Sequence, residues 1–172
     1  ITLLVVARYF QETLHERHPE ALQPAVLLRT ARGIVGNGSF WTYASLCTAS
    51  FGGLFCILSA SSFVFINLLG TSPSFYGVLL LLLSAFYIGG TILCRRMIVR
   101  FGVQRSVMIG GALSLGGGGL MLAFALAGVT TVWTIMVPAF IFMLGHGVHQ
   151  PCGQSGAIAP FPKAAGAASA IT

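Results

Sequence analysis

GIVGNGSFWTYASLCTASFGGLFCILSASSFVFINLLGTSPSFYGVLLLLLSAFYIGGTILC, residues 33–94, runs for 62 positions without an Asp, Glu, Lys or Arg. A second run, residues 106–162, continues for 57 positions without one. A membrane-spanning helix needs about 20 apolar residues, at about 1.5 Å of rise each, to cross about 30 Å of hydrocarbon. Each run is therefore long enough for two crossings and a tight turn, which makes two helical hairpins. Within the first run, residues 77–85 (GVLLLLLSA) do not alternate between apolar and polar. A transmembrane β-barrel requires short alternating strands with polar lumen positions, so a barrel is rejected.

Composition points the same way. Charged residues make up 7% of the 172 positions and the apolar set 56%, against roughly 25% charged residues in an average soluble domain. The mean hydropathy is +0.90. A soluble fold of this size could not cover its surface with so few charges, whereas a bilayer requires no such cover. The expected fold is an all-α membrane bundle with four complete spans at residues 39–68, 73–94, 106–127 and 132–159. Residues 1–7 read as the end of an earlier helix, and 164–172 as the start of a later one. The chain opens on Ile1 inside an apolar stretch and is expected to be a piece of a longer protein.

The cations alternate with the loops. Of nine Lys and Arg, four lie in 8–32 and four in 95–105 (Arg95, Arg96, Arg100 and Arg105), and Lys163 is the ninth. The hairpin turns near 69–74 and 128–131 carry none. Basic residues concentrate on the cytoplasmic side of a membrane protein, so 8–32, 95–105 and 163 are expected in the cytoplasm, with the four arginines of 95–105 as anchors. The pI of about 9.7 follows from this placement, and no solvated basic face calls for nucleic acid. At the helix starts, Asn37 or Ser39 can cap the first span, and Ser72 with Pro73 opens the second.

Small residues in membrane helices allow close backbone approach. Gly110, Ser114 and Gly118 share a face at spacing four, and Gly166 sits in the Ala-rich stretch 164–170; all four are expected to pack against other helices of a tight bundle whose partners lie partly outside this chain. Cys47, Cys56, Cys94 and Cys152 have no metal-binding spacing and read as buried free thiols.

The candidate site is GHGVHQPCGQ, residues 145–154. If its helix reaches the membrane surface near Ala159, His146 lies about 13 residues, or about 20 Å, inside. Polar side chains at that depth usually face a cavity. His146, His149 and Gln150 are therefore candidates for lining a substrate path. The histidines could also carry protons or simply bond to neighbouring backbone. Pro138 and the glycines of 145–153 are expected to interrupt this helix, as happens at transporter binding sites. Phe51 and Phe55, four apart, could line the same cavity or face lipid. Trp41 and Tyr43 suit a membrane interface. Metal binding would need a third ligand, and His15 and His18 lie in another region. No paired carboxylates, nucleophile–base set or phosphate loop is present, so neither an enzyme nor a cofactor is expected.

Three blocks of sequence resemble a known family. Residues 11–17 (QETLHER) resemble the stretch that closes the sixth helix of major facilitator superfamily drug exporters. Residues 52–66 (GGLFCILSASSFVFI) are similar to the seventh-helix signature of that superfamily's bicyclomycin/chloramphenicol-resistance (Bcr/CflA) branch. Residues 161–170 (FPKAAGAASA) are similar to the branch's eleventh-helix start, with Ala167 in place of the commoner Thr. The resemblance implies part of the C-terminal six-helix half of a major facilitator bundle: end of the sixth helix at 1–7, cytoplasmic central loop 8–38, then the seventh to tenth helices and the start of the eleventh at 164–172. Residues 100–105 (RFGVQR) resemble the tail of the superfamily's loop motif, with Val99 at its Asp position; cytoplasmic anchoring suffices to explain them. The implied activity is proton-coupled efflux of drugs or other small molecules across the bacterial inner membrane. The implied partners are the lipid bilayer, a small-molecule substrate, protons and the N-terminal half of the same transporter, where the coupling carboxylates would lie. A metabolite or amino-acid exporter of the same fold and a non-transporting membrane subunit remain alternatives.

Overall fold

The computed structural model describes residues 24–171, so the readings of 1–7, of residues 11–17 and of His15 and His18 lie outside the described residues. Five α-helices follow: α1 (Pro24–Val35), α2 (Gly38–Ser62, continued by a π-helical stretch Phe63–Leu68), α3 (Pro73–Leu126), α4 (Val132–Ile158) and, after a 3-10 turn at Pro162–Ala164, α5 (Ala165–Ile171). There is no strand among the described residues. The runs Gly38–Leu68, Pro73–Leu126 and Val132–Ile158 are all long and apolar enough to cross a membrane. The chain is an all-α, multi-pass membrane protein.

Helix α3 has 54 residues, which as one rod would be about 81 Å long, far more than a bilayer needs. It is two helices that meet at Gly102, whose φ of 78° and ψ of 170° are non-helical. The arms, 73–101 and 103–126, fold back beside each other. A Cβ on Gly90 would touch Leu144 and Gly147 of α4, and one on Gly110 would touch Val148 and His149. Residues on opposite sides of Gly102 thus reach the same level of α4. The expected loop at 95–105 is corrected: Arg95, Arg96, Arg100 and Arg105 are helical and exposed. A single glycine makes the turn, because it can occupy a φ/ψ region closed to other residues. The Ser106 hydroxyl donates to the Gly102 carbonyl at 2.7 Å.

The other helix ends use ordinary capping chemistry. The Asn37 side chain accepts from the amides of Ser39 and Phe40, and that of Ser72 from Phe75, with Pro73 in the first turn. Thr131 and Thr134 cap each other's backbone at the start of α4. Gly70 and Gly128, both at positive φ, turn the chain between α2 and α3 and between α3 and α4. The expected loop 8–38 is corrected in part: Pro24–Val35 is helical. Pro24 suits a first helical position, and Ile34 is buried in a cluster with Phe40, Ala44, Ala157 and Ala168.

Helix α4 is the centre of the bundle. Half of its most apolar stretch is buried, against 17% and 22% for the other two membrane-length helices. Its neighbours run alternately along it. Tyr43 and Cys47 of α2 meet Gly156 and Gly153, and Gly53 meets Phe142, so α2 is antiparallel to α4. The 73–101 arm is parallel, with Gly90 against Gly147 and Cys94 against Cys152. The 103–126 arm is antiparallel, with Gly117 against Pro138 and Gly110 against Val148. A core of Phe65, Leu79, Leu83, Met136, Ala139 and Met143 fills the end nearest the two short turns.

Two further expectations change. Helix α4 runs continuously through Pro138 and Pro151, so no interruption separates its halves. Its glycines are crossing points instead. A Cβ on Gly145 would strike Ser114 and Gly110, one on Gly147 would strike Tyr87 and Gly90, and one on Gly153 would strike Cys47. Among the packing residues, Gly110 is buried against α4 and Ser114 meets Gly145. Gly118 and Gly166, however, are exposed with nothing within 4 Å of a Cβ. Gly117 and not Gly118 makes the contact with α4: seven residues from Gly110 return within about 20° of the same face, whereas eight overshoot by about 80°. Of the four cysteines, Cys56 is exposed rather than buried.

Candidate substrate cleft at His146

His146 sits between the two glycines at which α4 touches both arms of α3. That crowding buries it to 2% exposure, although its helix position alone would allow it to face lipid. Nδ1 of the imidazole is 2.6 Å from the Ser50 hydroxyl of α2, which supplies the hydrogen bond a buried polar group requires. Three aromatic rings surround it. Phe51 meets it edge-on at 5.3 Å between centroids, Tyr87 is tilted at 5.4 Å, and Phe142 lies parallel at 6.3 Å.

This group borders a cleft of about 600 Å³ between α2 and the 73–101 arm. Phe51, Leu54, Leu83, Tyr87 and Met143 form its apolar wall, and Ser84 and His146 add polar atoms. An apolar wall with a few placed polar groups is the usual build of a small-molecule site. A second cleft of about 420 Å³, lined by Thr48, Phe51, Phe55 and Gln154 among others, lies on the other side of Phe51. Phe51 is the shared partition, and its ring is 6.5 Å from that of Phe55.

The two histidines do not converge. His149 faces the 103–126 arm, with its ring against Gly110. It is 3% exposed and borders neither cleft. Gln150 is half-buried and also borders neither. Nε2 of His149, Oε1 of Gln150 and the Ser114 hydroxyl are buried without a hydrogen-bond partner. Of the five residues expected around a cavity, the structure brings His146 and Phe51 together, sets Phe55 on the neighbouring cleft, and turns His149 and Gln150 elsewhere. Three residues along a helix rotate the side chain by about 60°, and on a helix enclosed by three neighbours that is enough to change partners.

Sequence reasoning missed Ser50, Tyr87 and Phe142. Tyr87 is a hydroxylated aromatic residue deep in an apolar span, which is a usable signal. Ser50 and Phe142 carry none, because only the crossing of α2 with α4 makes them neighbours of His146.

Among known proteins, the chain is similar to Multidrug resistance protein D of Escherichia coli (strain K12), with 30% identity over 168 residues. The alignment covers 96% of this chain and 41% of that protein. No protein-family profile matches the chain, and no solved structure matches it.

Proposed function

We propose that the chain is part of the second half of a major facilitator transporter, of the bicyclomycin/chloramphenicol-resistance (Bcr/CflA) branch, and that the whole transporter exports drugs or other small, mostly apolar molecules from bacteria. The observation that carries the reading is His146. It is a buried, hydrogen-bonded imidazole ringed by aromatic side chains, on the central helix of an apolar bundle, opening on a cleft of small-molecule size. A membrane subunit that only packs has no use for such a group, because a polar residue at this depth is expensive. The similarity to Multidrug resistance protein D along nearly the whole chain supports the same reading.

In this proposal the cleft at His146 is one wall of the path, and the first half of the transporter supplies the other. Aromatic faces and aliphatic side chains accept flat or branched apolar molecules, and the imidazole edge selects those with one polar group. The driving force is the proton gradient across the inner membrane, with the coupling carboxylates in the first half.

The test is drug accumulation in an efflux-deficient bacterium expressing the full-length transporter. Lower accumulation of a subset of antimicrobials, abolished by a protonophore, is the expected result. His146→Ala is expected to change which compounds are excluded while the protein still reaches the membrane. Unchanged accumulation of every compound, with the protein present in the membrane, would sink drug export. Wild-type efflux with an unaltered His146→Ala profile would sink the assignment of the cleft.

A further inference from the structure

Cys94 and Cys152 meet where the 73–101 arm crosses α4. The crossing is set one turn earlier. A Cβ at Gly90 would come within 2.5 Å of the Leu144 carbonyl oxygen and 3.0 Å of the Gly147 Cα, so the two backbones are in contact there. Because the helices run on in parallel, Cys94, four residues beyond Gly90, is brought against Val148 and Cys152. Both thiols are free and each residue is 1% exposed. Their sulfurs are 3.2 Å apart, and the Cys94 sulfur is 3.6 Å from the Val148 carbonyl oxygen. Ile98 and Val107 close over the pair, which borders neither the His146 cleft nor its neighbour. Arg95 and Arg96 follow Cys94 directly, so the pair lies near the cationic end of the bundle.

A close crossing can be filled by any two small side chains, and packing alone does not require sulfur in both. A disulfide has an S–S length of about 2.05 Å, so the two sulfurs need approach by only about 1 Å. Their helices are already held in register by the Gly90–Gly147 contact. A burial this deep admits small uncharged oxidants and keeps out bulky or charged ones.

We propose that Cys94 and Cys152 form a redox-active dithiol that small uncharged peroxides oxidise to a disulfide, tying the 73–101 arm of α3 to α4. One thiolate attacks a peroxide oxygen, the O–O bond breaks, and that sulfur becomes a sulfenic acid while the departing hydroxide takes a proton to leave as water. The second thiolate attacks the sulfenic sulfur, the S–S bond forms and the S–O bond breaks, releasing a second hydroxide that takes up the remaining proton. Two thiols are oxidised by two electrons, and one hydrogen peroxide is reduced to two waters. A small-molecule thiol reverses the step by exchange. The proposal stands whether or not the chain exports drugs.

The experiment uses the full chain in its native membrane, treated with hydrogen peroxide, alkylated to block remaining thiols, digested and weighed. The expected product is the Cys94 peptide joined to the Cys152 peptide, lighter by two hydrogens than their sum and separated by dithiothreitol. Recovery of both cysteines as alkylated or singly oxidised peptides would overturn the proposal, as would a bond from Cys152 to Cys47 instead. A second measurement places a protease site in the 128–131 turn, which lies between the two cysteines. After oxidation and cleavage the two pieces should co-migrate on a non-reducing gel, and in the Cys94→Ala variant they should separate. Separation in the unsubstituted pair would also overturn the proposal.

Discussion

Gly117 and Gly118 are adjacent and chemically identical, yet one is a contact and the other is not. A Cβ on Gly117 would come within 2.6 Å of the Pro138 carbonyl oxygen and 2.7 Å of the Phe142 amide nitrogen, whereas one on Gly118 would meet nothing within 4 Å. Backbone atoms cannot swing aside as a side-chain tip can. Gly117→Ala is therefore expected to lower stability by about 1–3 kcal/mol, the usual cost of overpacking. Gly118→Ala should be neutral or raise stability by up to about 1 kcal/mol, because Ala is the better helix former. Thermal unfolding of the purified protein in detergent separates the two; equal losses would mean that Gly118 also packs. His146 makes the same point at the site. His149, three residues away, is buried as deeply, but the Ser50 partner and the ring of aromatic neighbours belong to His146 alone.

Among the elements, α3 carries the most consequential local feature. Its two arms are good helices with no proline between them, and residues on either side of Gly102 continue the helical pattern. Only the glycine at φ 78° and ψ 170° converts one long helix into a hairpin around α4. That conformation is essentially restricted to glycine and is disfavoured for other residues by about 1–3 kcal/mol. Gly102→Ala is expected to lower the melting temperature and the yield of folded protein, while Gly77→Ala in the same helix, also open to space, should not. Equal behaviour of the two variants would mean that the turn does not depend on the glycine. Helix α4 shows the opposite logic. It keeps helical form through two prolines, and its glycines serve the crossings with α2 and both arms of α3 instead of a break.

For the whole molecule, Arg29 and Arg32 of α1 and the arginines around the Gly102 turn gather at one end of the bundle, and the Gly70 and Gly128 turns lie at the other. Basic residues favour the cytoplasmic side, so a cysteine placed at Ser72 should react with an impermeant thiol reagent from outside intact cells. One placed at Gln104 should react only after the membrane is opened. Both labels are read in a chain whose native cysteines are replaced by Ala, and the reverse pattern would invert the molecule. The sequence by itself determined the all-α membrane class, the positions of the four apolar segments and the grouping of the cations. Those properties depend on summed transfer free energy over about 20 residues, which one-dimensional pattern carries well. Tertiary structure alone decided that 95–105 narrows to one glycine hinge, that α4 is unbroken, that Gly117 and not Gly118 packs, and that His146 and His149 face different helices. It also decided that Cys94 lies against Cys152. The physical reason is that hydropathy sums over a segment and is blind to azimuth, whereas a contact depends on rotation about the helix axis. Near 100° per residue, a shift of one position changes the neighbour, and the neighbour exists only once α2, α3 and α4 have crossed.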